Sequence, residues 1–107
     1  MDKKDIPTIT YRGREITPAP VKMKVWRMML NEPDLGEDMT VRMDYYLRMI
    51  VETFGIDEIT LEVLDDILPV ADVIPLYHQC VKYVFGLSVS KLDKLPKNAD
   101  APTTAQN

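Results

Sequence analysis

Residues 39–55 read Met-Thr-Val-Arg-Met-Asp-Tyr-Tyr-Leu-Arg-Met-Ile-Val-Glu-Thr-Phe-Gly, and this stretch decides the fold class. Its apolar residues recur three and four positions apart, which is the period of an α-helix with one buried face. The spacing predicts a helix from about Met39 to Phe54, closed by Gly55 as its C-terminal cap. The predicted inner face of this helix consists of Met39, Met43, Tyr46, Leu47, Ile50 and Phe54.

A second apolar stripe lies on the opposite, charged side of the same predicted helix. It consists of Val41, Tyr45 and Met49, at positions i, i+4 and i+8. A single core does not account for this stripe, so it is predicted to be a partner-binding surface.

Methionine is concentrated in this part of the chain, because six of the seven methionines fall between residues 23 and 49. The methionine side chain has three rotatable bonds and a polarizable sulfur, so it adapts to partners of varying shape. A core built mostly of methionine specifies its own packing poorly. We therefore expect Met39 and Met43 in the core and Met23, Met28, Met29 and Met49 at a binding surface.

The preceding helix is predicted to begin at Thr17-Pro18, with Thr17 as N-cap and Pro18 at the first helical position. It should run to about Asn31 and stop before Pro33. Its apolar arc is too wide for one neighbouring element to cover, so this helix is either central or shared with another chain. With the outer stripe, it supplies the predicted partner-binding residues Met23, Trp26, Met28, Met29, Leu30, Val41, Tyr45 and Met49.

The N-terminal segment 7–17 is predicted to form a β-hairpin around Arg12-Gly13. Ile9 and Tyr11 alternate with threonines, and Gly13 supplies the positive φ of a tight turn. A lone hairpin is marginal in water, so it must lie on the helices or pair with strands of another chain.

Two further helices are predicted after Gly55. Thr60 caps a short acidic helix, Leu61 to Leu68, with an apolar face of Leu61, Leu64, Ile67 and Leu68. Asp72 caps a last helix from about Val73 to Phe85, with Pro75 inside its first turn and Gly86 at its end. The predicted buried stripe of the last helix is Val73, Ile74, Tyr77, Val81, Val84 and Phe85.

The predicted fold class is therefore mainly α (α+β), with three to four helices in a small bundle and one N-terminal hairpin. Residues 7–87 form the single domain, between a flexible N-terminus at 1–6 and a flexible polar tail at 88–107. The chain has one cysteine and no apolar run long enough to cross a membrane, so we expect a soluble intracellular protein.

Charge is segregated along the chain. Residues 1–31 carry seven basic and three acidic side chains, whereas residues 32–72 carry two basic and twelve acidic ones. This pattern suits docking between copies of the chain through complementary charges. The alternative is that the two segments neutralise each other within one monomer.

The residues offer no catalytic, metal or cofactor site. His78 and Cys80 have no further His or Cys to complete a zinc site, so a surface histidine and a packed free cysteine are expected. The carboxylates of residues 57–66 have the spacing of an exposed helix face. Because that region is acidic, nucleic acid is not an expected partner.

The order of the parts resembles the tail assembly chaperones of long-tailed phages and prophages. The resemblance spans about residues 8–87 and rests on the hairpin at 12–16, the helix Pro-Val-Lys-Met-Lys-Val-Trp-Arg at 20–27, the segment Asp-Glu-Ile-Thr-Leu-Glu-Val-Leu at 57–64 followed by Pro69, and the helix at 77–86.

The resemblance implies a non-catalytic protein of the infected bacterial cytoplasm that is absent from the mature virion. Such proteins bind the tape measure protein while the tail tube assembles, and they commonly self-associate. Two alternatives stay open: a structural head–tail or tail completion protein, and an acidic regulatory or inhibitory binding protein acting through residues 57–66.

Overall fold

The computed structural model describes the backbone of residues 5–92 and the side chains of residues 5–88. The fold is mainly α, with a two-stranded antiparallel hairpin followed by four helices. The predicted flexible end at 1–6 lies mostly outside the described residues, as does the tail beyond residue 92. The elements are β1 (Ile9–Tyr11), β2 (Arg14–Ile16), α1 (Met23–Leu30), α2 (Met39–Phe54), α3 (Leu61–Ile67) and α4 (Val70–Leu92).

The hairpin forms where it was predicted, with Ile9 opposite Ile16 and Tyr11 opposite Arg14. Arg12 (φ 53°) and Gly13 (φ 75°) both have positive φ, which is the requirement of a two-residue type I′ turn. Ile9 and Ile16 are buried against the helices. Of the two predicted placements, the described residues therefore show the hairpin lying on its own helices.

Helix α1 begins later than predicted, at Met23 rather than Thr17-Pro18. Pro20 disfavours a helical conformation for Ala19, and the Ala19 N–H donates to the Phe54 carbonyl oxygen at 2.9 Å instead of entering a helix. Residues 17–22 thus form an extended link that is tied to the end of α2.

Helices α2 and α3 have the predicted bounds within one residue. Asp38 caps α2 by accepting a hydrogen bond from the Thr40 N–H, and Gly55 closes it in the left-handed conformation at φ 61°. Thr60 caps α3 by accepting from the Val63 N–H at 3.2 Å.

Helix α4 is longer than predicted at both ends. It begins at Val70 rather than Val73, so Pro75 lies in its second turn, and it continues through Gly86 to Leu92. The prediction of a helix end at Gly86 is therefore wrong, and the first residues of the predicted tail are helical. The prediction failed because packing of the flanking Val84 and Phe85 against the core outweighs the cost of about 1 kcal/mol for a helical glycine.

The core lies mainly between α2 and α4, with the hairpin, α1 and α3 around this pair. Its centre on α4 is Val73, Leu76, Tyr77, Cys80 and Val84. Ile74, predicted in that stripe, is exposed instead, because the buried seam runs through Leu76 and Cys80 on the adjacent side of the helix.

The buried face of α2 is rotated relative to the prediction. Its centre is Met49, Ile50, Thr53 and Phe54, each at most 1 % exposed. Met39, predicted as core, is 59 % exposed, because the first three residues of α2 lie outside the packed part of the helix; Met43 is half-buried. Met49, predicted on the outer stripe, is completely buried.

Candidate functional site

An apolar groove lies between the start of α1 and the second half of α4. One wall is formed by residues 20–23 and Trp26, and the other by Tyr83, Val84, Leu87 and Ser88. The groove has a volume of ≈ 480 Å³ and is lined almost entirely by carbon atoms. We call it the α1–α4 groove.

The two walls are held together by aromatic packing. The rings of Trp26 and Phe85 meet edge to face, with centroids 6.3 Å apart. Val84 and Val25 are buried beside them. Because α4 continues helically through Gly86, Leu87 is carried to the side of α4 that faces α1. The groove is thus a built feature of two packed helices.

The structure places the predicted partner-binding residues in three environments. Met23, Leu30 and Val41 are exposed, Trp26, Met28 and Tyr45 are half-buried, and Met29 and Met49 are buried. The groove brings only Met23 and Trp26 together. The prediction that Met29 and Met49 bind a partner is wrong for the monomer surface, because both side chains are buried in the core of their own chain.

Tyr45 belongs to an aromatic cluster within the protein. The helical periodicity of the sequence had predicted no intramolecular contact for this residue. Its ring centroid lies 6.1 Å from those of both Tyr46 and Tyr77, and Tyr46 and Tyr77 are 4.6 Å apart. The Tyr45 hydroxyl is buried without a hydrogen-bond partner among the described residues. The cluster covers one end of the α2–α4 contact.

Glu32 closes this tyrosine cluster from the loop after α1. The Tyr77 hydroxyl donates a hydrogen bond to a Glu32 carboxylate oxygen at 2.5 Å. Burial, and then the hydrogen bond and charge of Glu32, raise the pKa of Tyr77. Burial and the Glu32 charge also raise the pKa of Tyr45, so both phenols keep their protons to higher pH than an exposed tyrosine does.

Sequence reasoning missed the α4 wall of the groove, namely Tyr83 and Leu87. The signal was present, because Tyr83, Val84 and Leu87 continue the three- and four-residue spacing of apolar positions past Gly86. Because the predicted helix ended at Gly86, Leu87 fell outside its apolar stripe.

His78 and Cys80 occupy the places that were predicted for them. His78 is exposed and Cys80 is fully buried. Burial raises the pKa of Cys80 to about 12, opposed in part by a hydrogen bond with Thr53. A thiol with so high a pKa is a poor nucleophile, so Cys80 is a packing residue.

Two ion pairs connect the basic first third of the chain with its acidic middle. Arg14 contacts Glu58, and Lys24 lies 3.3 Å from Glu52. Both pairs are largely solvent-exposed and contribute little to stability. They show that part of the charge segregation is neutralised within the monomer.

Residues 5–92 hold neither a metal-binding cluster nor a membrane-spanning helix. Among them, no group of three or more His, Cys, Asp or Glu side chains is arranged to hold a metal ion. Nor does this part of the chain contain a helix of the length and apolar character that crossing a membrane requires.

Comparison with known proteins gives no family model, no curated protein and no solved structure that matches this chain. The function of the α1–α4 groove is therefore inferred from its own residues and from the order of the elements around it.

Proposed function

We propose that this protein is a non-catalytic tail assembly chaperone of a long-tailed phage or prophage, and that it binds the tape measure protein. The observation that carries the proposal is the α1–α4 groove, an open apolar surface with Met23 and Trp26 on one wall. A groove between two helices is a common receptor for the apolar face of a third helix.

The side chains at the surface suit a client of variable sequence. A tape measure protein is long and helical, and its amphipathic segments would aggregate if they were left bare. A chaperone for such segments needs tolerance of sequence more than high affinity. Met23, the exposed methionine on the groove wall, provides this tolerance, because its side chain repacks around different partners.

The order of elements also supports the proposal. The resemblance to tail assembly chaperones rests on the hairpin at 12–16, the Trp-containing segment at 20–27, the segment at 57–64 followed by Pro69, and the helical segment at 77–86, in that order. From the same resemblance we propose that the protein acts in the host bacterial cytoplasm, self-associates, assists tail tube assembly and leaves before the virion is complete.

Co-expression with the tape measure protein encoded beside this gene tests the proposal. We expect the client to become more soluble and to copurify with this chain. The matched control is the client expressed with a small acidic protein of similar size. Equal client solubility in both cultures, with no copurification, would refute the chaperone role.

A head–tail or tail completion protein could also bind the tape measure protein, but it would stay in the particle. Mass spectrometry of purified virions separates these functions. A chaperone should be missing from particles in which the tail tube protein is abundant, whereas stoichiometric amounts of this chain would favour the completion protein.

A further inference from the structure

We propose that the α1–α4 groove selects amphipathic helical segments whose apolar side chains are flanked by acidic residues. This inference rests on the proposed function, since it names the chemistry of the client segment that the groove accepts. It is carried by the apolar lining, by the sign of the charges around it and by the uncapped end of α1.

The apolar lining defines one half of the client. Met23 is 56 % exposed and Trp26 half-exposed on the α1 side, opposite Leu87 on α4. Two helices that diverge around apolar side chains accept a third helix, which inserts residues spaced three and four positions apart. The client therefore presents an apolar stripe to the groove.

The charges around the groove define the other half. Residues 16–31, which include the whole α1 wall, contain no acidic residue, and neither do residues 73–92, which include the α4 wall. Lys22 lines the groove itself, Arg27 and Lys82 are exposed on the same two helices, and Lys24 is engaged with Glu52. Because Lys22 is the charged residue that lines the groove and neither wall segment carries an acidic residue, a client with carboxylates beside its apolar stripe is favoured.

The start of α1 adds a local preference for a carboxylate. Lys22 occupies the N-cap position and provides no side-chain hydrogen bond, and the first turn has no acidic residue. No side chain caps this helix end, and Glu52 of α2, which lies close to it, is paired with Lys24, so the partial positive charge of the helix end is only partly offset. The Val25 N–H donates to the Lys22 carbonyl oxygen at 3.0 Å, which leaves the N–H groups of Met23 and Lys24 for a client Asp or Glu in the groove.

The described acidic surfaces of this chain do not supply such a segment. The apolar residues of α3 face its own core, with Leu64 buried and only Leu61 exposed. Val70 and Ile74 form a single exposed turn on α4 before that helix enters the core. Met39 and Val41 likewise expose a single turn of α2 beside Glu37, Asp38 and Asp44. None of these described segments offers a full apolar stripe flanked by acid, and residues 93–107 contain Leu95 as their one large apolar residue, so we take the occupant to be a segment of a different protein.

Trp26 provides the readout, because it is the only tryptophan of the chain and lines the groove. The probes are two synthetic peptides of about 18 residues, long enough to form helices. They share the same leucine stripe and differ only in having Glu or Lys at every flanking position. We expect the Glu peptide to shift Trp26 emission to shorter wavelength saturably, with affinity about tenfold or more above that of the Lys peptide and weakened by salt.

Matched variants locate the binding. Met23→Gln should weaken binding of the Glu peptide several-fold, whereas Met39→Gln should not, although both methionines begin a helix and are similarly exposed. Lys22→Glu should remove the preference for the Glu peptide. Arg48→Glu makes the same charge change at an exposed position of α2 outside the groove and should leave the preference intact.

Equal affinity for the Glu and Lys peptides would overturn the inference, and so would an equal loss of Glu-peptide affinity in Met23→Gln and Met39→Gln. A shift of Trp26 emission with protein concentration alone would also overturn it, because the occupant of the groove would then be a second copy of this chain. Copurification with the tape measure protein separates the two proposals. A client held equally well by wild type and Met23→Gln would retain the chaperone role and reject the groove. No copurification with wild type would reject the chaperone role, while the peptide result would still decide the selectivity of the groove.

Discussion

The turn residue Arg12 is the one non-glycine residue with positive φ among the described positions. An L-residue with a Cβ pays about 1 kcal/mol or more in this conformation, and asparagine pays less because its short polar side chain bonds locally. The sequence predicted the positive φ of Gly13 but not that of Arg12, because a type I′ turn became certain only with the observed register.

Replacement of Arg12 by asparagine should stabilise the protein. Asn-Gly is the preferred pair for a type I′ turn, and the exposed Arg12 loses only a weak contact with the Tyr11 ring, 5.1 Å from its guanidinium. We expect Arg12→Asn to raise the free energy of unfolding by roughly 0.5–1 kcal/mol in urea titrations. Unchanged or lower stability would show that the turn is not of this type.

Cys80 should make stability fall at alkaline pH. Its pKa is about 12 in the folded protein and about 8.5 in an unfolded chain, so the unfolded state releases the proton first. The stabilising effect is complete below about pH 8.5 and is lost as pH rises toward 12. The contribution of Cys80 should decrease by roughly 2–3 kcal/mol by about pH 10.5.

Urea titrations from neutral to alkaline pH measure this effect, and Cys80→Ala is the control. The variant is less stable at neutral pH because it leaves a cavity, but its stability should decline less steeply with pH. Tyr77 and Tyr45 also have raised pKa values, so they too lower the stability at alkaline pH, in the wild type and in the variant alike. Parallel pH profiles for wild type and variant would contradict the assignment.

At the scale of elements, Pro75 interrupts α4 in its second turn. The sequence placed it harmlessly in the first turn, but the helix begins at Val70. Proline there cannot donate the hydrogen bond that residue 75 would make to the carbonyl oxygen of Ala71. The earlier start follows Pro69, whose carbonyl oxygen accepts a hydrogen bond from the Asp72 N–H at 2.9 Å.

The variant Pro75→Ala should therefore stabilise the protein. A proline inside a helix costs about 3 kcal/mol relative to alanine. The greater conformational freedom of the unfolded alanine chain offsets up to about 1 kcal/mol of the stability that the substitution gains. The expected gain is about 2 kcal/mol in thermal or urea unfolding, since the exposed ring packs little. A loss of stability would mean that the first turn of α4 depends on the proline.

At the scale of the whole molecule, the structure decides which methionines are core. Met49 is completely buried between α2 and its neighbours, whereas Met39 is 59 % exposed. Met49→Ala should cost about 2–5 kcal/mol because it removes a buried side chain and leaves a cavity. Met39→Ala should change stability by less than about 0.5 kcal/mol.

Urea unfolding of Met49→Ala and Met39→Ala compares the same substitution at two positions of one helix. The sequence assigned the opposite roles, with Met39 inside and Met49 outside. Similar costs for both substitutions would mean that the first turn of α2 is covered as well, as it would be in an oligomer that buries Met39.

Local sequence was sufficient to predict the hairpin turn at Gly13, the C-terminal cap at Gly55, the N-cap at Thr60 and a bundle of three to four helices. These depend on backbone preferences and hydrogen bonds within a few residues, so they can be recognised without knowledge of the rest of the chain.

Tertiary contacts set where α1 begins, how far α4 continues and which side of α2 is buried. Helix α2 is apolar on more than one side, and periodicity defines an arc without saying which part of it meets another element. The hydrogen bond between Ala19 and Phe54 joins residues that are distant in sequence. The packing around Gly86 overrides the local preference of glycine for ending a helix. The α1–α4 groove is a product of those contacts, because it exists only where α1 starts late and α4 continues to Leu87.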